Sequence, residues 1–594
     1  MATGGDVPES LLAARRTLDE FGEVRIVQDW HRGEEGWRLR VDLTPGDLGT
    51  KFPIPPTTPW YVLAEPNYPA GLIGIWPAAD GGITETFWHQ MPNTVPLPGR
   101  PYRGGKLCVA TDSESNLRTS KEVEPRSAED RLAWHVRRAG GWLRQASHGT
   151  LVVDGEWFEL PFYHRSAARL VAFREGPETL AQWAQTRITS GHAEVLKLPT
   201  GHDVVASFRS LGREELVRLS WGQAIVGRRQ PSAMWVRFPD VVALSPYQAP
   251  RTWGELRAVA RGQGVDLDRL MRDGTHRFHD HDTHLMLVGF PVPEKVREPA
   301  RQMHWQAIEL PRLERRPMSG SPRTAEGWWQ TSRTGTLADR EALNWAPSEN
   351  WHPDQLATRG RLDRDLTEQR VVVIGAGALG SPIGELLVRA GVTDITVVDP
   401  ERLVAGNLVR HTLTMSDLGS FKAESLAERL SALSPNVRAS AVNAGFPTQD
   451  GADQYRAADL VIDTTGEYAV LKAITAFPWD GEPTFASFSL SMHAKRLFAF
   501  VAKGSGFSVA NFDLAYQPFG QEEFDRDEER PWEGIGCFHP VFPARADEVW
   551  LMASAAVSLL DDQWPIASGS CGFYVFERDE DEAGRFTGLR KTAP

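Results

Sequence analysis

Gly375, Gly377 and Gly380 follow the apolar run Val371 to Ile374 with the spacing G-x-G-x-x-G, and Asp399 ends the next apolar run, Ile395 to Val398. Glycines so spaced let backbone N–H groups approach a phosphate. The helix that follows offers its positive end, and an acid about 20 residues on is placed for a ribose hydroxyl. Asn407, Arg410 and Lys422 crowd the short segment after that acid. A dinucleotide carries a compact pyrophosphate and needs little cationic help. A triphosphate does need it, because charge must be neutralised as pyrophosphate leaves. The set points to ATP attacked at the α-phosphorus rather than to hydride transfer. Asp463 closes a further apolar run, Leu460 to Ile462.

Thiols are the second source of chemistry. The chain has three cysteines, Cys108, Cys537 and Cys571, and no C-x-x-C pair. An odd number in distant segments argues against a disulfide framework, and no zinc site is expected. Cys537 lies in Trp532-Glu533-Gly534-Ile535-Gly536-Cys537-Phe538-His539-Pro540, between the acidic stretch Gln521 to Arg530 and the apolar helical run Val549 to Leu560. A cysteine between a loop and a helix is accessible, and a helix N-terminus favours its thiolate. Cys571, among strand-forming residues, reads as structural. Cys108 ends Gly105-Lys106-Leu107-Cys108.

These groups need elements to hold them. Leu379, Ile383, Leu386, Leu387 and Ala390 share one helical face, so the glycine turn sits in a strand–turn–helix–strand unit. Ahead of Cys108, the runs Trp60 to Leu63, Ile73 to Trp76 and Thr86 to Gln90 are aromatic and β-branched, punctuated by Pro and Gly, and predict an antiparallel meander. Behind it, Leu132, Val136, Ala139 and Leu143 predict a helix over Ala128 to Ala146. The middle mixes helices with strands such as Leu285 to Phe290, which Pro291 and Pro293 should break. Arg301 to Arg323, with Pro311, Pro317 and Pro322, reads as an extended linker. His276, His279, His281 and His284, with Asp280 and Asp282, admit a metal reading but fit an exposed turn better.

At 594 residues the chain exceeds one core. Charged residues are 24% and hydrophobic ones 41%, and the net charge of −13 argues against a general nucleic-acid partner. No apolar run is long enough to span a bilayer, and the N-terminus lacks a signal sequence, so a cytoplasmic protein is expected.

From Arg370 to Lys422 the sequence resembles the adenylation domain of the ubiquitin-activating family, including ThiF and MoeB-type sulfur-carrier activating enzymes. It matches their pattern at Gly375, Gly377, Gly380, Asp399, Asn407, Arg410 and Lys422. It departs at Asp463-Thr464-Thr465-Gly466-Glu467, where Gly466 stands in place of the family's second, magnesium-holding aspartate; Asp463 or Glu467 is left to serve. The family's crossover-loop cysteine corresponds to Cys537. Around Cys108, the elements Tyr68-Pro69, His89 and Gly105-Lys106-Leu107-Cys108 resemble divergent prokaryotic ubiquitin-conjugating domains. The His-Pro-Asn triplet is interrupted into His89, Pro92 and Asn93; these, with Asp112, are candidates for oxyanion and amine contacts or for ordinary loop polarity.

Together the two thiols resemble the conjugating–activating fusions of bacterial anti-phage CBASS operons. That resemblance implies a multidomain α/β and α+β chain. A ubiquitin-conjugating-like α+β domain would cover 1–165, a mixed middle domain 166–350 and a Rossmann-like ThiF adenylation domain 351–594. It also implies ATP and magnesium as cofactors and Cys537 and Cys108 as successive thioester carriers. The acyl donor would be the C-terminus of a cGAS/DncV-like nucleotidyltransferase or of a ubiquitin-like protein, and the acceptor a lysine-type amine. A homodimer is implied, in which Arg359 or Arg361 reaches the partner's site. Two other readings stay open: a sulfur-carrier adenylyltransferase with an unrelated N-terminal domain, and a non-enzymatic nucleotide-binding scaffold.

Overall fold

The structure, a computed structural model, describes residues 6–109, 124–164, 167–275, 278, 283–313, 325–525 and 542–592. Among these the chain forms three sheets, one per stretch of sequence.

The first sheet is antiparallel, β1 (Val24–Gly33), β2 (Gly36–Leu43), β3 (Thr58–Ala64) and β4 (Ile73–Pro77), in that order. The predicted runs at 60–63 and 73–76 are β3 and β4, whereas Thr86 to Gln90 is loop apart from one bridge, Gln90 to Leu107. Helix α1 (Glu9–Thr17) and helix α2 (Ala128–His148) cover one face. Ser127 Oγ caps α2 by accepting the Asp130 N–H, and Gly149 ends it at φ 66°, a conformation glycine adopts readily. Leu132, Val136, Ala139 and Leu143 are buried along α2 at the expected spacing. The Leu107 N–H donates to Ile75 O at 3.0 Å and the Cys108 N–H to His89 O at 2.9 Å. These bonds fix the cysteine beside β4.

The middle sheet runs β11-β10-β9-β6-β7-β5-β12, with β8 on β7. Its strands are β5 (Val171–Phe173), β6 (Ser190–Lys197), β7 (Asp203–Ser210), β8 (Glu215–Arg218), β9 (Arg228–Arg237), β10 (Leu285–Val292), β11 (Gln302–Glu309) and β12 (Ser348–Asn350). Two expectations fail here. Pro291 does not break β10: beyond Gly289 the strand is paired only with β11, and a proline is tolerated on such an edge. The start of the supposed linker is β11, because Met303, Trp305, Ala307 and Ile308 are buried there. Residues 314–324 of that linker lie outside the described residues.

The third sheet runs β15-β14-β13-β16-β17-β18-β19-β20. Strands β13 (Arg370–Ile374), β14 (Asp394–Val398), β15 (Arg438–Val442), β16 (Leu460–Asp463) and β17 (Thr484–Leu490) are parallel. Strands β18 (Arg496–Lys503), β19 (Cys571–Glu580) and β20 (Phe586–Thr592) extend it antiparallel. Both faces of β13 are buried: Val371 and Val373 pack with Ile383 and Leu387, and Val372 and Ile374 with Val461 and Phe500. Burial on both sides is why its sequence is continuously apolar. Cys571 opens β19 opposite Ala502 but is exposed, so it fills no core. Helix α3 (Gly380–Arg389) follows β13, and helix α4 (Lys422–Leu433) precedes β15. The order 15-14-13-16 reverses direction at β13, which opens a crevice at the carboxyl ends of β13, β14 and β16.

Candidate active site

That crevice is a cavity of about 1590 Å³. It exceeds the roughly 300–1,000 Å³ of an ordinary small-molecule pocket, leaving room for a second reactant beside a nucleotide. Gly375, Gly377, Asp399, Asn407, Arg410, Lys422 and Asp463 all line it. Gly380 lies behind the wall. A Cβ there would sit 1.9 Å from Gly375 O, whereas a Cβ on Gly377 would meet nothing within 4 Å. Gly380 therefore permits close packing within the turn, and Gly377 leaves its surface open. Gly375 is held at φ 96°, and Thr464 Oγ1 donates to its carbonyl at 2.8 Å.

Asp399 is buried and its two oxygens are occupied, Oδ2 by the Ala376 N–H at 2.7 Å and Oδ1 by the Glu401 N–H at 2.8 Å. Burial raises its carboxyl above the usual range, opposed by those two bonds and by the charge of Lys422. Lys422 opens α4 and is buried, with Nζ 2.5 Å from Glu401 Oε2. Asn407 Oδ1 accepts the Val404 N–H at 3.1 Å and holds the single turn that carries Arg410. The Arg410 guanidinium lies 5.8 Å from the ring centroid of Phe542, another cavity residue.

Asp463 is buried at the end of β16. Its Oδ1 accepts the Thr465 hydroxyl at 2.7 Å and the Thr465 N–H at 3.1 Å, and its Oδ2 accepts the Ser487 hydroxyl at 2.9 Å. Burial pushes its carboxyl up, opposed by these donors, and Glu467 adds to the rise. Glu467 is exposed on the same cavity wall. A buried carboxylate beside an exposed one fits a magnesium ion shared with nucleotide phosphates, which needs one or two protein carboxylates. Leu490, Met492, Phe512 and Tyr516 line the remaining wall, where no nucleotide motif falls.

Sequence reasoning passed over Glu401, Ser487 and His411. Only adjacency to Arg410 pointed to His411, and nothing local marks Ser487, which β17 brings to Asp463. Of the two arginines ahead of β13, Arg359 is exposed and Arg361 donates to Asp354 at 3.1 Å within its own chain.

Cys108 is exposed. Lys106 is half-buried with Nζ 5.8 Å from the Trp76 ring centroid. His89 lies between Glu156 and Glu159, at 3.8 and 3.9 Å from their carboxylates. Asn93 is not placed as an oxyanion donor. It is fully buried, with Nδ2 donating to the Ile83 and Glu85 carbonyls and Oδ1 accepting from Arg103. Cys537, His539 and Asp112 lie outside the described residues, as do His276, His279, Asp280, His281 and Asp282. His284 is buried, its ring stacked on Phe278 at 4.1 Å.

A family model for the Cap2 central linker domain matches residues 149–351, and the ThiF family model matches residues 354–487. The chain is 32% identical over 571 residues to the ATP-dependent ubiquitin transferase-like protein Cap2 of Enterobacter hormaechei subsp. hoffmannii, spanning 93% of this chain and 94% of that protein. It is 38% identical over 104 residues to the sulfur carrier protein adenylyltransferase of Thermus thermophilus, but this covers 17% of the chain and 38% of that protein. Crystals of Escherichia coli MccB with AMPCPP and MccA overlap 46% of this chain and 72% of their own at 12% identity, with a TM-score of 0.27, too slight to carry an argument.

Proposed function

The chain belongs to the Cap2 family of ATP-dependent ubiquitin transferase-like proteins, and from that premise we propose that it adenylates the C-terminus of a partner protein and joins it to an amine through two thioesters. The observation that carries this reading is the convergence of Gly375, Asp399, Asn407, Arg410, Lys422 and Asp463 on one cavity. The sulfur-carrier relative matches only a short adenylating segment, so the whole chain goes with the transferase.

ATP lies with its ribose on Asp399 and its phosphates over the glycine turn. Lys422 exchanges Glu401 for phosphate oxygens, and Arg410 adds a second cation. The partner's tail enters along Leu490, Met492, Phe512 and Tyr516. A carboxylate oxygen attacks the α-phosphorus, the bond to the β-phosphate oxygen breaks, and pyrophosphate leaves with its charge met by Arg410 and Lys422. Asp463 and Glu467 would hold magnesium, which supplies further neutralisation of phosphate charge.

The product is an acyl–AMP anhydride. The Cys537 thiolate attacks its acyl carbon and AMP departs. The Cys108 thiolate then takes the acyl group by thioester exchange. An amine nitrogen attacks the thioester, loses a proton and leaves an amide, releasing the Cys108 thiol. Each covalent step divides a hard reaction into easier ones. The segment that carries Cys537 re-enters the described structure at Phe542, on the cavity wall. The donor we assign is a cGAS/DncV-like nucleotidyltransferase of a CBASS operon and the acceptor a lysine, with the enzyme a cytoplasmic homodimer.

ATP–pyrophosphate exchange with that partner tests the reading. Lys422→Ala should raise the barrier by about 3 kcal/mol, roughly a hundred-fold in rate. Undiminished exchange in that variant would remove the assignment. With ATP and acceptor present, the wild-type product should survive thiol reductant. A C-terminal gain of one sulfur would move the chain to the sulfur-carrier reading.

A further inference from the structure

The peptide between Ala376 and Gly377 lies inside the glycine turn, and two side chains hold the Ala376 backbone. Asp399 Oδ2 accepts the Ala376 N–H at 2.7 Å, and the Ala376 carbonyl oxygen lies 2.5 Å from His411 Nε2. The tautomer of His411 follows from its other nitrogen. The Leu413 N–H donates to Nδ1 at 3.1 Å, so Nδ1 is an acceptor and Nε2 carries the proton given to Ala376 O. The next residue is tied to the same unit, with the Thr412 N–H 3.4 Å from Ser381 Oγ on α3.

This carbonyl needs holding. Gly377 has no Cβ, so its φ is free to take either sign and does not by itself hold the Ala376–Gly377 peptide plane in one orientation. The peptide is planar and trans, so fixing the Ala376 C=O also fixes the Gly377 N–H in the opposite direction. Turned over, the plane would exchange a donor for a carbonyl oxygen beside a triphosphate and repel it. We propose that His411 is a positioning residue for ATP, a neutral imidazole that locks this peptide plane and couples the phosphate-binding turn to the arm carrying Arg410. Burial supports the neutral form, holding the imidazole down at about 4, opposed by its bond to Ala376, with Lys422 reinforcing the fall.

The inference rests on the ATP reading of the cavity, and the experiment separates the two. Binding of ATP and of adenosine is measured on the full chain for the wild type, His411→Ala and His411→Gln. Glutamine offers an amide N–H and an acceptor oxygen but does not titrate. His411→Ala should weaken ATP about ten-fold or more and leave adenosine nearly unchanged, because only the phosphates feel the turn. His411→Gln should recover most of the ATP affinity. Unchanged ATP binding in His411→Ala would overturn the proposal. So would equal losses for ATP and adenosine, which mark a merely structural role, or a glutamine variant as weak as the alanine one. A wild-type chain that binds adenosine but gains nothing from the triphosphate would sink the adenylation reading and this inference together.

Discussion

Lys422 is a buried ammonium whose partner, Glu401, is 67% exposed. The exposed carboxylate is readily rehydrated, and phosphate oxygens can replace it as the partner that a buried ammonium requires. The glycines separate two duties of the turn. Gly380→Ala would drive a methyl into Gly375 O, a backbone atom that cannot yield without moving the turn. Overpacking of this kind costs about 1–3 kcal/mol, so the variant should melt at lower temperature and lose ATP binding. Gly377→Ala meets no protein atom within 4 Å and should melt like the wild type, yet bind ATP at least several-fold more weakly, because its methyl occupies the phosphate side. Calorimetric melting and ATP titration of both variants check the contrast. Equal melting losses would show that Gly377 also serves packing.

At the scale of elements, the middle region docks at the entrance to β15, the edge strand of the third sheet. The Gly222 N–H donates to Pro435 O at 2.8 Å and the Gln223 N–H to Val437 O at 3.0 Å. Gln223 Oε1 accepts from Ser431 Oγ at 3.0 Å and from the Ala439 N–H at 3.2 Å. Covering the entrance to an edge strand in this way shortens the stretch open to unwanted strand addition. A Cβ on Gly222 would come within 2.4 Å of Val437 O. Gly222→Val should therefore undock this contact, quickening limited proteolysis between the middle and adenylating regions while pyrophosphate exchange persists. Proteolysis at the wild-type rate would mean that other contacts carry the junction. At the opposite end Trp88 stacks on Tyr247 at 3.7 Å, and Arg251 donates to Asn93 O at 2.9 Å. The middle region thus touches both the N-terminal sheet and the adenylating region.

For the whole molecule the central question is the order of the two thiols. Cys108 lies beside the first sheet, whereas Cys537 follows the helix Val509–Asp525, which lines the cavity. If the anhydride is attacked where it forms, Cys537 is loaded first. Cys108→Ala should then still give an adduct at Cys537 that reductant removes, and Cys537→Ala should give neither adduct. Mass spectrometry of each variant after incubation with ATP and the partner reads the order. Normal loading of Cys108 in Cys537→Ala would reverse it.

The sequence by itself determined the parts of the candidate site that are local in the chain. A strand, a glycine turn and a helix are contiguous, so Gly375, Gly377, Gly380 and Asp399 announce their geometry through spacing. The helix after Cys108 was legible from its 3.6-residue period for the same reason. Only the tertiary structure decided the rest, because it depends on residues far apart in sequence. Ser487 reaches Asp463 through strand pairing, and His411 meets Ala376 through a loop that folds back. By sequence Asn93 is either an oxyanion contact or ordinary loop polarity, and its amide is spent on carbonyls of a neighbouring loop. Pro291 and the strand Gln302–Glu309 were misread because an edge position and burial across a sheet leave no mark in local composition. Local periodicity encodes elements; which polar atom is left facing a ligand is settled only when every other buried polar atom has found its partner.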